Sequence, residues 1–447
     1  MRGIRARSRP DATLFVVVLI GTILSTPIIQ SALAASSSNL SDGSAAWRDR
    51  PRWPARVGFE AADATQGIVI ELPAGRTTHV WRTISSRAAS ALGLWDAQRD
   101  GESLLKGRIP ATAPRFAEIG NGGFGFVRQE RDPEDRAEDP ACAAAMMFVS
   151  ARDTGDSCVL QRTWFSLYDP RKGPARGLAV VMPGLFGTPE AVFDQVVRHF
   201  QSRNWVVLRM MAQPSGYTEE LNVDIADGSA AERDAARLLA RTFDDRAAEC
   251  AYAVEAAIAW AEAKRPEIRQ RSRVILGGSG GAMSLPPVAA RLHGAFDAAV
   301  LIAGGADFAT IAATSNYEDW VDSVHIRWSG KVGTPEQIRS LGDAYLHESL
   351  LDAYHTAASL EGTKTLVIQA TRDKAVPAPQ QELLWERLGR PERKSLGMGH
   401  ETLFVSLPLR MGGIMDWIDA ALAPDPAGAP HEEAVESAAP PTKDGSP

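Results

Sequence analysis

Short apolar runs alternate with amphipathic stretches from about residue 160 to residue 422. Five runs stand out between turn residues: Leu178–Met182, Trp205–Leu208, Val274–Leu276, Ala298–Ile302 and Thr365–Ile368. They are rich in Val, Ile and Leu without strict alternation, the pattern of strands covered on both faces. Val159–Tyr168 predicts an earlier strand. Between the runs, Glu190–Gln201 carries Val192, Phe193, Val196, Val197 and Phe200 on one helical face. Asp244–Lys264 is Ala-rich, with a stripe through Phe243, Ala247, Cys250, Val254, Ile258 and Ala261, which makes Cys250 a core residue. Ala282–His293, Gln380–Leu388 and Pro408–Leu422 follow the same period. This order of strand and helix predicts an α/β fold, a mostly parallel sheet with helices on both faces. Residues 308–360 interrupt it with Tyr317, Trp320, Trp328, Tyr345 and Tyr354 and read as a lid-like insertion, an extra packing layer being the other reading.

Outside that segment the pattern changes. Residues 35–158 read as an N-terminal accessory region of mixed, partly β character, with strands expected at Gly67–Leu72 and His79–Ile84. Residues 159–423 form the alternating domain. Residues 424–447 hold six prolines without any helical or strand period and read as a disordered tail. At the start, Arg2, Arg5, Arg7 and Arg9 precede an apolar run from Leu14 to Leu24, and Ala32-Leu33-Ala34 offers small residues for cleavage. Residues 1–34 therefore read as a signal peptide, with an uncleaved anchor as the alternative. Export to a periplasm or the medium is expected, with no stable membrane span after cleavage.

Composition narrows the function. Of 447 residues, 45% are hydrophobic and 23% charged, as in a soluble globular protein. Lys+Arg total 48 against Asp+Glu 55, a net charge of −7 that becomes −10 once the four arginines and Asp11 of residues 1–34 are removed. No basic block marks a nucleic-acid footprint. The three cysteines lack the CxxC spacing of a zinc site, and in an exported chain Cys142 and Cys158 are close enough in sequence to form a disulfide.

The candidate chemistry begins at Arg273-Val274-Ile275-Leu276, which runs into Gly277-Gly278-Ser279-Gly280-Gly281 and then a helical stretch. This is G-x-S-x-G between strand and helix. A nucleophile on so tight a turn needs glycine-sized neighbours, here Gly277 and Gly281, two residues to each side. A serine hydroxyl also needs a base, and the base an orienting carboxylate. Asp373 follows the strand Thr365–Ile368, and His400 lies further on in a Gly-x-Gly-His loop. Asp307, after the preceding strand, is the rival acid.

With Ser279, Asp-x-x-Val-Pro at Asp373 and Gly-x-Gly-His at His400, residues 160–422 resemble the α/β-hydrolase family. A fourth match is Met182-Pro183-Gly184-Leu185-Phe186-Gly187 after the Leu178 strand. The resemblance implies an oxyanion hole from the N–H groups of Leu185, or else Phe186, and of Gly280. It implies a serine hydrolase that acts on small-molecule carboxylic esters without a cofactor. Peptide substrates are the alternative within the fold, and an inactive exported binding or scaffold protein is the alternative outside it. Oligomeric state stays open.

Overall fold

The computed structural model describes residues 67–72, 142–153, 158–184, 190–211, 221–316 and 324–423. Its strands are β1 (Gly67–Leu72), β2 (Cys142–Asp153), β3 (Cys158–Tyr168), β4 (Gly177–Met182), β5 (Trp205–Met210), β6 (Leu221–Ile225), β7 (Ser272–Gly278), β8 (Ala298–Ile302), β9 (Val324–Trp328), β10 (Lys364–Ala370) and β11 (Glu392–Leu396). The helices are α1 (Glu190–Ser202), α2 (Ser229–Lys264), α3 (Gly280–Arg291), α4 (Phe308–Thr314), α5 (Pro335–Glu348), α6 (Ala353–Thr356), α7 (Ala378–Arg387) and α8 (His400–Ala421).

Nine strands form one sheet in the order β1-β2-β3-β5-β4-β7-β8-β10-β11. From β5 to β11 every neighbouring pair is parallel, while β1, β2 and β3 extend the sheet antiparallel. The exchange of β4 and β5 in the order follows from right-handed crossovers through helices. Side chains alternate across the sheet, so each central strand feeds two cores. On one face Ala179, Val181, Val207, Val274, Leu276, Val300, Ile302 and Ile368 pack under α1 and α8. The opposite residues, among them Leu178, Val180 and Ile275, are fully buried beneath α2 and α3. At roughly 1.5–3 kcal/mol for each large apolar side chain withdrawn from water, these two layers dominate the stability.

Several elements depart from the sequence reading. The β2–β3 hairpin carries the sheet across the expected boundary at 158/159, so Gly67–Leu72 and Cys142–Asp153 continue the main sheet instead of standing apart. The expected strand His79–Ile84 lies outside the described residues, as do the signal segment 1–34 and the tail 424–447. The Cys142–Cys158 disulfide is ruled out by register. Cys142 faces Tyr168 at one end of the hairpin and Cys158 faces Asp153 at the other. That separates them by about ten residues of strand, roughly 30 Å, against a limit of about 7 Å between bridged Cα atoms. The Cys142 thiol donates instead to the Ala144 carbonyl at 3.1 Å.

Residues 308–360 supply α4, β9, α5 and α6. They pack on α2 and α3, and β9 pairs in parallel with β6 in a separate two-stranded sheet. Among the described residues no helix is long and apolar enough to cross a membrane.

Candidate active site

Ser279 joins β7 to α3 with φ 51 and ψ −120, a left-handed turn that a side chain adopts only when its surroundings enforce it. Its N–H donates to the Ile302 carbonyl of β8 at 2.7 Å, and its carbonyl accepts from Ala282 and Met283 as α3 begins. The flanking glycines are required by space. A Cβ on Gly277 would stand 2.4 Å from the Gly281 carbonyl oxygen, and one on Gly281 would stand 2.5 Å from the carbonyl oxygens of both Met182 and Pro183. Those obstacles are backbone and cannot step aside. Gly280 is the first residue of α3, so its N–H has no partner within the helix and lies at the positive end of the helix dipole.

The acid and the base converge because their strands are neighbours at the sheet edge. β10 and β11 pair in parallel, and the pairing continues past their ends through Thr371 N–H to Leu396 O at 2.9 Å and Arg372 N–H to Met398 O at 3.1 Å. Asp373 therefore follows one strand and His400 the other, at the same level. Asp373 Oδ1 accepts two N–H groups, from Ala375 and Val376, each at 2.8 Å. Its Oδ2 lies 2.6 Å from His400 Nδ1, and His400 Nε2 lies 3.0 Å from Ser279 Oγ. An ionised carboxylate only accepts, so Nδ1 carries the proton and Nε2 is left to accept from the serine hydroxyl. All three residues are buried.

The structure thus brings Ser279, Asp373 and His400 into one hydrogen-bonded line, 121 residues separating serine from histidine along the chain. It corrects one local expectation: His400 is the first residue of α8, capped by Gly399, and not a loop residue before a helix starting at Pro408. Asp307, the rival acid, is spent elsewhere. It caps α4 from a left-handed backbone (φ 67), and its carboxylate takes Thr310 N–H at 3.1 Å and Thr310 Oγ1–H at 2.6 Å. Leu185 and Phe186, one of which was expected beside Gly280 in an oxyanion hole, lie outside the described residues.

Two buried carboxylates carry no sequence motif. Asp352 accepts from Asp307 N–H, Phe308 N–H, Tyr354 N–H and the Tyr345 hydroxyl, all between 2.8 and 3.0 Å. It thereby pins the turn after β8 to α5 and α6. That turn backs the elbow, since a Cβ on Gly304 would meet Ala282 Cβ at 2.6 Å. Asp244 of α2 accepts from Ser349 Oγ–H, Leu350 N–H and Leu351 N–H, and burial pushes its carboxyl up from 3.8 to about 6. The signal for Asp352 was an acid directly ahead of a short helix, the position of an N-cap.

No protein-family model and no curated protein matches the sequence. Among solved structures, Est1E from Butyrivibrio proteoclasticus is 13% identical with a TM-score of 0.40, over 62% of this chain and 99% of that one. TT1662 from Thermus thermophilus is 17% identical with a TM-score of 0.37, over 59% and 95%. The acylaminoacyl peptidase of Pyrococcus horikoshii is 13% identical with a TM-score of 0.37, over 62% of this chain and 47% of that chain. By its own strand order, its serine elbow and the succession of serine, acid and histidine at the strand ends, this chain has the α/β-hydrolase fold.

Proposed function

We propose that the protein is an exported serine hydrolase that cleaves carboxylic esters through an acyl-enzyme. The observation that carries this reading is the unbroken line Asp373–His400–Ser279, at 2.6 and 3.0 Å. In it, His400 Nε2 takes the Ser279 proton as Oγ attacks the ester carbonyl. Asp373 holds the tautomer that leaves Nε2 free to accept and balances the imidazolium that forms. The Gly280 N–H donates to the developing oxyanion, the resemblance implying a second donor from Leu185 or else Phe186, and each such donor is worth about 3 kcal/mol of the barrier. His400 then returns the proton to the departing alcohol. A water molecule repeats the sequence on the acyl group and regenerates the serine. The net cycle converts one ester and one water into a carboxylic acid and an alcohol, with the serine restored.

Esters come before amides because they are the commonest chemistry that the resemblance implies, and a substrate panel tests the choice. Short-chain esters, long-chain esters and aminoacyl amides are offered to the purified chain. Turnover of esters with little of the amides supports the reading, whereas kcat/KM at least as high on the amides overturns it in favour of a peptidase. Export is supported by the basic start, the apolar run and the Ala32-Leu33-Ala34 site. Recovery of the protein outside the cytoplasm with Ala35 as its first residue is the expected outcome. A cytoplasmic chain that still begins with residues 1–34 contradicts it.

A further inference from the structure

Position 278 poses a question that the elbow alone does not answer. G-x-S-x-G calls for small residues at 277 and 281, and Gly278 is the free position between Gly277 and Ser279. Its φ is not in the left-handed region, so backbone conformation does not demand glycine. Space does. A Cβ at 278 would lie 2.8 Å from Cε1 and 3.2 Å from Cζ of Phe404, with Phe193 Cζ at 3.7 Å. The Phe404 ring occupies the volume that a side chain at 278 would fill.

Phe404 stands one helical turn after His400 on α8, and residues four apart lie on one face with side chains inclined toward the N-terminus. The ring therefore reaches back to the imidazole, with centroids 5.0 Å apart and planes at 57°. It is buried, in the same apolar layer as Phe193, Leu403 and Leu407. Asp373 and Ser279 hold the two ring nitrogens of His400 by hydrogen bonds, and the Phe404 ring adds an aromatic wall against the imidazole itself.

We infer that Phe404 is a positioning residue. Wedged between the imidazole of His400 and the backbone at Gly278, it holds Nε2 in line with Ser279 Oγ, and glycine at 278 is the counterpart that makes room for it. The inference rests on the serine-hydrolase reading above. On this inference Phe404 acts through His400, against whose ring it packs.

The test is a compensation cycle on the full chain: wild type, Phe404→Leu, Gly278→Ala and the double variant. Each is read by its rate of inactivation by a fluorophosphonate, which reports the Ser279–His400 pair whatever the natural substrate, and by kcat and KM on a p-nitrophenyl ester. Circular dichroism and the thermal midpoint confirm that each is folded at the assay temperature. Phe404→Leu keeps its bulk in the layer and serves where Phe404→Ala fails to fold. Phe404→Leu is expected to lower kcat and the labelling rate by about tenfold or more, with KM within about twofold, the split of a group that acts only in the chemical step. Gly278→Ala lowers both as well, because its methyl displaces the ring. In the Phe404→Leu background the same methyl costs less than about twofold, since the obstacle is gone. Wild-type labelling rates in folded Phe404→Leu overturn the inference, as do equal costs of Gly278→Ala in both backgrounds. If the folded wild type is not labelled at Ser279, the hydrolase reading itself falls, and Phe404 has no base to position.

Discussion

Replacing Asp373 by Asn changes one atom of the carboxylate, and the structure dictates the consequence. Oδ1 receives two backbone N–H groups, from Ala375 and Val376, so the amide oxygen of the variant must stay there and the NH2 group must face His400 Nδ1. Nδ1 then has to accept. The neutral imidazole moves its proton to Nε2, which presents N–H to Ser279 Oγ and can no longer take the serine proton. A wrong tautomer in a Ser-His-Asp array costs about 10⁴ in kcat, or about 5.5 kcal/mol in the barrier. The control is Asp307→Asn. Asn tolerates the left-handed φ at 307 and can still cap α4, so about 1 kcal/mol or less of stability is at stake there and kcat stays within about tenfold. Both variants are assayed on a p-nitrophenyl ester at pH 7.5, with urea unfolding to separate stability from chemistry. An Asp373→Asn enzyme within tenfold of wild type, together with an Asp307→Asn enzyme down by more than 10³, refutes the assignment of the acid.

Further predictions follow from other parts of the molecule. Asp244 has a folded-state value raised from 3.8 to about 6, so the folded chain holds this proton more tightly than the unfolded chain; the associated stability is complete below about pH 3.8 and is lost as pH rises through 6. At about 1.4 kcal/mol per pH unit the whole effect is about 3 kcal/mol, of which about 1.4 kcal/mol disappears between pH 5 and pH 8. Urea titrations of wild type and Asp244→Asn should show that extra decline only in the wild type, and parallel curves contradict it. Tyr345→Phe removes a hydroxyl that donates to Asp352 and should cost about 1.5–3 kcal/mol in the same titration; no loss would mean that Asp352 does not depend on it. Gly281→Ala places a methyl against two backbone carbonyls and should lose about 3 kcal/mol or more together with activity, so a stable, active variant would deny the tight elbow. A non-reducing peptide map should recover Cys142 and Cys158 on separate peptides, and a linked pair would contradict the β2–β3 register.

What could be read in the sequence was whatever carried a period or a steric requirement. The central strands announced themselves because Leu178–Met182 and Ala298–Ile302 are buried on both sides and so are apolar throughout. The elbow was legible because backbone collisions at 277 and 281 admit only glycine. β11 escaped notice for the opposite reason. It is an edge strand whose Glu392, Arg393, Lys394 and Ser395 face solvent, charged as a protected edge should be, so no apolar run marks it. Yet that strand brings His400 level with Asp373. The first turns of α2, from Ser229, are polar for the same reason. At α8 Pro408 marks a helix start in the sequence pattern but lies inside the helix, which begins two turns earlier, at Gly399-His400, and only from there does Phe404 fall on the face of His400. The cysteines show the limit of sequence distance, since residues close along the chain stand at opposite ends when an extended hairpin lies between them.

The most direct measurement is the site of covalent capture. The folded chain is incubated with a fluorophosphonate at pH 7.5, digested, and its peptides are sequenced by mass spectrometry. A single adduct on Ser279, absent from Ser279→Ala and from His400→Ala, is the predicted result. A folded wild type that takes no label, or an adduct on another serine, contradicts the account.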